Sequence, residues 1–187
     1  RHDPNTVSEK RLQLFTEKTT NIVVVADGPS EIPDSWLGFS RVVQVAGPLV
    51  RSLMNSGFID SAIYIAMHDA DGKARQRFDA FIKGNRIRRD KLVHRKGTVQ
   101  HSAGRLADLK KFDFKDWYLV DGSHRMYNFK RLVEQRQVAS SPIVLKVMKP
   151  MTQGEQDQIA TLLNSTAAST VKESIADFIG RCARFRE

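Results

Sequence analysis

The sequence predicts a single α/β domain, and three observations predict it. Short β-branched or aliphatic runs, residues 21–26 and 61–67, alternate with segments whose apolar residues recur at helical spacing. Residues 118–135 join the two patterns directly: a short apolar strand, an abrupt turn, then a helix with Met126, Phe129, Leu132 and Val133 on one face. The chain has 187 residues and is 41% hydrophobic, enough to bury one core.

Taken in order, residues 1–20 are polar with alternating charge and predict a loose arm or an amphipathic first helix through Leu12, Leu14 and Phe15. The run Asn21-Ile22-Val23-Val24-Val25-Ala26, stopped by Asp27-Gly28-Pro29, predicts a strand and turn. Residues 29–40 hold two prolines and predict a loop anchored by Trp36, and residues 41–45 a second strand. Gly47-Pro48 opens a helix that Gly57 closes. Residues 61–67 alternate too little for an exposed strand and predict a buried one.

Asp69-Ala70-Asp71-Gly72 is a turn with some likeness to a calcium loop, but no further acidic ligands follow it. Ala74, Phe78, Phe81 and Ile82 predict a helix ending at Gly84. Residues 97–104, with His101, read as a loop, and Leu106, Leu109 and Phe112 lie on a helix or loop leading to Trp117. Residues 140–147 predict a strand. The capping-box spacing of Thr152 and Glu155 opens a helix through Ile159, Leu162 and Leu163, and that of Thr170 and Glu173 opens a last helix.

Charge narrows the partners. The formal net charge is +9, which favours nucleic acid, nucleotides or an acidic surface. Residues 83–96 hold seven Lys or Arg and one Asp, about two thirds of that excess. This run reads either as a solvated face or as a phosphate-backbone contact through Arg86, Arg88, Arg89, Lys91, Arg95 and Lys96; without an aromatic residue, it offers no base stacking of its own. The longest stretch free of charged residues, 158–171, is rich in Gln, Asn, Ser and Thr and is no membrane span. Cys182 is the single cysteine, so an intrachain disulfide and a multi-cysteine zinc site are excluded. The start, Arg1-His2-Asp3-Pro4, has neither an initiator Met nor an apolar signal region, which predicts a chain trimmed from something longer and an intracellular, cytoplasmic or nuclear or nucleoid, setting.

The turn Asp121-Gly122-Ser123-His124-Arg125 is where chemistry is expected. Gly122 can take backbone angles denied to other residues, and Ser123 is a good N-cap. A helix start gathers N–H groups without helical partners and a partial positive charge, a ready anion site. His124 and Arg125 add cations where the helix dipole disfavours them, a conflict that a bound phosphate resolves. The other reading is a solvent-facing His-Arg pair beside an ordinary cap. Asp121 likewise reads either as a magnesium ligand or an orienter of His124, or as an Asx-type turn residue. Arg125 can grip two phosphate oxygens, and His124 can donate to phosphate or move a proton, whereas Lys130 and Arg131 read as surface charges.

This pentapeptide resembles the nucleotide-phosphate motif of the ParB/sulfiredoxin superfamily, whose members carry Gly-Glu-Arg-Arg, Gly-Cys-His-Arg or Asp-Gly-x-His-Arg at a strand-to-helix turn. The flanks agree in order. The helix, Gly57 and strand of residues 49–65 resemble the ParB segment leading into its first core strand, and Ser141-Pro142-Ile143-Val144-Leu145 resembles the strand after the phosphate helix. Asn164 matches the Asn of the ParB Glu-Asn-x-x-Arg motif. The resemblance implies a small mixed sheet with surrounding helices over residues 1–187, an N-terminal arm at 1–20 and a basic insertion at 70–116. It also implies a nucleoside triphosphate, ATP or CTP, with magnesium, held by Gly122, Ser123, His124, Arg125 and Asn164. Asp121 and His124 are the catalytic candidates and Asp121 the metal ligand. The implied activities are NTP hydrolysis, phosphoryl transfer or a nuclease-like reaction on or near DNA or RNA. Three departures matter. Ser123 stands where sulfiredoxin has its attacking Cys and ParB its Glu, which argues against sulfiredoxin activity. Leu163 and Ala167 replace the Glu and Arg of the Asn164 motif, and no helix-turn-helix module follows it. A non-catalytic nucleic-acid-binding or protein-interaction module retaining the fold is therefore the alternative.

Overall fold

The computed structural model describes residues 4–38, 47–57, 59, 63–87 and 101–166. Five strands form one mixed sheet: β1 (Thr19–Ala26), β2 (Ile63–Met67), β3 (His101–Arg105), β4 (Trp117–Asp121) and β5 (Ile143–Met148), in the order β3-β1-β5-β2-β4. β1 runs parallel to β3 and antiparallel to β5, while β2 runs parallel to β5 and antiparallel to β4. Among the described residues β4 is therefore an edge strand, although its sequence is as apolar as a central one.

Helices cover both faces. On one, α2 (Gly47–Ser56), α3 (Ala74–Gly84) and α4 (Ser123–Glu134) bury Leu53, Phe78, Phe81, Met126, Phe129 and Leu132 against Ile63, Ile65, Leu119 and Leu145. On the other, α1 (Pro4–Lys18) and α5 (Gln153–Thr166) pack Leu14, Phe15, Ile159 and Leu163 against Ala66, Val120 and Met148. Successive strand side chains point to opposite faces, so β2 sends Ile63, Ile65 and Met67 to the first core and Ala66 to the second. This two-sided burial is why its sequence lacks alternation.

The capping box of α5 forms reciprocally. The Thr152 N–H donates to Glu155 Oε2 (2.9 Å), and the Glu155 N–H donates to Thr152 Oγ1 (3.3 Å). Trp36 is buried, and its Nε1–H donates to the Phe114 carbonyl oxygen (2.8 Å), anchoring the 29–37 loop. In the 70–116 stretch, Phe81 and Phe112 pack around Trp117, with Phe112 stacked on it at 4.8 Å. That stretch thus supplies part of the first core.

Two expectations are corrected. Residues 101–105 form β3, not a loop: His101 and Ser102 pair with Ile22 and Val23 of β1. The segment His-Ser-Ala-Gly-Arg has little strand propensity of its own, and the open edge of β1 supplies the pairing. Lys130 is no surface charge. Its Nζ donates to the Ile32 carbonyl oxygen (2.8 Å) and reaches Asp34 Oδ1 (2.5 Å), tying α4 to the 29–37 loop. The expected strand at 41–45 and the last helix from 170 lie outside the described residues. Among the described residues, no helix is long and apolar enough to cross a membrane.

Candidate phosphate site at the end of the fourth strand

β4 passes into α4 through one residue. Gly122 lies in the left-handed region (φ 102°), and a Cβ there would stand 2.2 Å from Ile63 Cδ1. Both the backbone angle and the space demand glycine. Here the sequence-based assignment of the cap is corrected: Gly122 is the N-cap and Ser123 the first helical residue. Because Gly122 makes the sharp turn, Ser123 is already helical, and its Oγ instead accepts a long bond from the Gly38 N–H (3.4 Å). The Met126 N–H donates to the Gly122 carbonyl oxygen (2.9 Å), closing the first turn. Asn128, buried at 2% exposure, donates to the His124 carbonyl oxygen (2.8 Å) and stiffens the same turn.

The irregular register at the end of β4 sets the direction of Asp121. Ile65 pairs with Leu119 but Tyr64 with Asp121, so two residues of β4 are spent against one of β2. Asp121 Oδ2 meets Arg125 Nη2 at 3.0 Å across one helical turn, and both side chains are about one-fifth exposed. Burial pushes the Asp121 carboxyl above its ordinary range; the Arg125 guanidinium, the Gly122 N–H that donates to it, and His124 all pull it down. The carboxylate of Asp121 thus takes a local backbone N–H, as a turn residue does, and it also positions Arg125, a pairing not among the expectations for this residue.

Two further residues join this group that the sequence did not single out. In register across β4, β2 and β5 stand Asp121, Tyr64 and Lys146. The Lys146 ammonium lies 5.8 Å from the centre of the Tyr64 ring, and Phe15 packs edge-on against the same ring. Burial and the nearby Asp121 charge push the Tyr64 hydroxyl up, while Arg125 draws it down. Tyr64 therefore stays a neutral phenol at physiological pH, able to donate a hydrogen bond. No local pattern marks Tyr64 or Lys146; only the order of the strands brings them to Asp121.

Of the other expected site residues, Asn164 sits in the last turn of α5, directly after Leu163, and its side chain lies outside those described. Arg86 follows α3, exposed and in the left-handed region (φ 55°). Arg88, Arg89, Lys91, Arg95 and Lys96 lie outside the described residues. Among the described residues, no three His, Cys, Asp or Glu side chains come together as a metal site. In the Asp69–Asp71 turn, Asp69 accepts from the Ala74 N–H, and Asp71 pairs with Arg77 at 3.0 Å. Asp121 alone fits magnesium only in the manner that ion often uses, one carboxylate with the remaining ligands from phosphates and water.

Protein-family models, curated proteins and solved structures were compared with the chain, and none matches it.

Proposed function

We propose that the turn at residues 121–125 binds the phosphates of a nucleoside triphosphate, ATP or CTP, with magnesium, in a domain of the ParB/sulfiredoxin type. One observation carries this reading: a left-handed glycine delivers the edge strand straight into a helix whose first turn holds His124 and Arg125, with Arg125 aimed by Asp121. Backbone N–H groups at the helix start, a guanidinium and an imidazole are the donors phosphate recognition uses. Asp121 would hold the magnesium beside those phosphates, and the ion would supply charge neutralisation there. The imidazole of His124, in the same first turn, is a group able to give a proton to a phosphate oxygen or take one from it, which supports hydrolysis or phosphoryl transfer as the reaction. A nucleoside triphosphate substrate would fit the intracellular setting expected from the sequence.

The Asp121–Arg125 pair also satisfies itself without a ligand, and this favours a second reading, a non-catalytic module that keeps the fold. Thermal unfolding with ATP, CTP, GTP and UTP, each with and without magnesium, separates the two. A ligand bound only by the folded chain at a hundred times its dissociation constant adds about 2.7 kcal/mol. The nucleotide reading expects such a shift with ATP or CTP, lost in Arg125→Ala, and phosphate release that Arg125→Ala abolishes. No shift with any nucleotide sinks it; a shift without turnover leaves a binding module.

A further inference from the structure

Two turns far apart in sequence are locked together on the surface. Asn85, the residue that ends α3, donates from its amide to the Phe81 carbonyl oxygen (2.8 Å) and to the Lys110 carbonyl oxygen (2.7 Å). Its Oδ1 accepts from the Lys110 N–H (3.0 Å). Both amide functions are consumed in holding backbone to backbone. Gly84 lets the second turn come close, since a Cβ there would lie 2.8 Å from Lys111 Cγ. Arg86 (φ 55°) and Lys111 (φ 57°) sit in the left-handed region on either side of this clamp. A side chain rarely adopts that conformation unless its surroundings impose it.

The clamp assembles Lys83, Arg86, Lys110 and Lys111, all exposed, from segments separated by about 25 residues. Among the described residues, none of the four has a carboxylate at ion-pair distance, whereas Lys18, Arg77, Arg105, Arg125 and Lys130 each have one. The sequence continues from Arg86 into Arg88, Arg89, Lys91, Arg95 and Lys96. Uncompensated cations held on a fixed frame suit a polyanion of regular spacing. The four side chains offer ammonium and guanidinium groups only. They carry no aromatic ring to stack an unpaired base and no apolar group to enter a lipid layer.

We propose that this clamped surface contacts the phosphate backbone of duplex DNA, with no preference among base sequences. It is independent of the turn at residues 121–125. The test is fluorescence anisotropy of the full chain on a mixed-sequence DNA duplex of about two helical turns, across a salt series. Each phosphate contact contributes roughly 0.9 to the slope of log affinity against log salt, so Lys110→Gln with Lys111→Gln should lower that slope by about 1.8. Replacing the exposed Lys10 and Lys149 by Gln removes equal charge elsewhere and should leave the slope unchanged. Asn85→Ala keeps the charge and should weaken binding by releasing the frame. The proposal is overturned if the Lys110/Lys111 variant keeps the wild-type slope, or if the Lys10/Lys149 control loses as much. It is equally overturned if no duplex binds at low salt, or if single strands or an RNA duplex bind more tightly than the DNA duplex. Phosphatidylserine vesicles that bind and lose affinity with the same substitutions, in place of DNA, would assign the surface to an acidic membrane.

Discussion

The two cationic regions are built in opposite ways from similar residues. At the end of β4, Arg125 is four-fifths buried and held by Asp121, with Tyr64 and Lys146 alongside. At the Asn85 clamp, Lys83, Arg86, Lys110 and Lys111 stand in solvent, and it is their backbone that is held. Partly buried charges are screened little by salt, so the first region suits a small ligand held by short, directed contacts. Exposed charges are screened strongly, which suits a large polyanion gripped through many weak ones. Burial, rather than the number of cations, separates the two kinds of site.

The sharpest way to break this contrast is to remove the turn itself. Gly122→Ala forces a side chain into the left-handed region and against Ile63, which should cost about 2–4 kcal/mol in urea unfolding. An unchanged midpoint would mean that the close approach of Gly122 to Ile63 is not present in solution. Any basic surface made by the Asn85 clamp should survive in the fraction that remains folded.

Next comes the ion pair. Arg125→Ala leaves the Asp121 carboxylate partly buried without its cation and should cost about 1–3 kcal/mol near neutral pH. Its pH dependence has a definite sign. Asp121 has a folded-state value above the ordinary 3.8, so between those two values the folded chain binds the more protons. Its contribution is favourable below 3.8 and is lost as pH rises through the folded value. Removing Arg125 takes away the largest influence that lowers that value, so the loss should extend to higher pH. Asp121→Asn should abolish this component. Urea midpoints from acid to neutral pH for the three proteins test it, and parallel curves would count against it.

Asn85→Ala should be milder, about 1–2 kcal/mol, since it removes bonds near the surface. Hydrogen exchange should quicken at the Lys110 amide, whose partner is lost, and stay unchanged at the Met126 amide in the first turn of α4. Equal quickening at both would join the two regions into one cooperative unit. The smallest effect belongs to Ser123→Ala. Its bond to the Gly38 N–H is long and exposed, and the cap is Gly122, so the loss should stay below about 0.5 kcal/mol. A loss above about 1 kcal/mol would restore Ser123 to the capping role its position in the sequence suggests.

Particular residues show how far sequence reading reaches. Thr152 and Glu155 meet as their spacing predicts, because both partners lie within one helical turn. The strand, glycine and helix of residues 117–134 are legible for the same reason. The side chain of Ser123 is the better acceptor and predicts the cap there, but the backbone angle at Gly122 places the boundary one residue earlier. Lys130 looked like a surface charge because its partners, Ile32 and Asp34, belong to a loop almost a hundred residues away. β3 was hidden because β1 provides its pairing.

By itself, then, the sequence determined the alternation of helices and strands, the sharp turn at Gly122, the capping box and the concentration of positive charge. Each depends on residues within a turn or two of one another, where periodicity and backbone preference act directly. Only the tertiary structure decided that β4 pairs with β2 and not β5, that Tyr64 and Lys146 stand in register with Asp121, and that Asn85 draws Lys110 and Lys111 beside Lys83 and Arg86. Strand order and the meeting of distant turns follow from how the whole chain buries its apolar surface and satisfies its backbone, and no local pattern of residues encodes them.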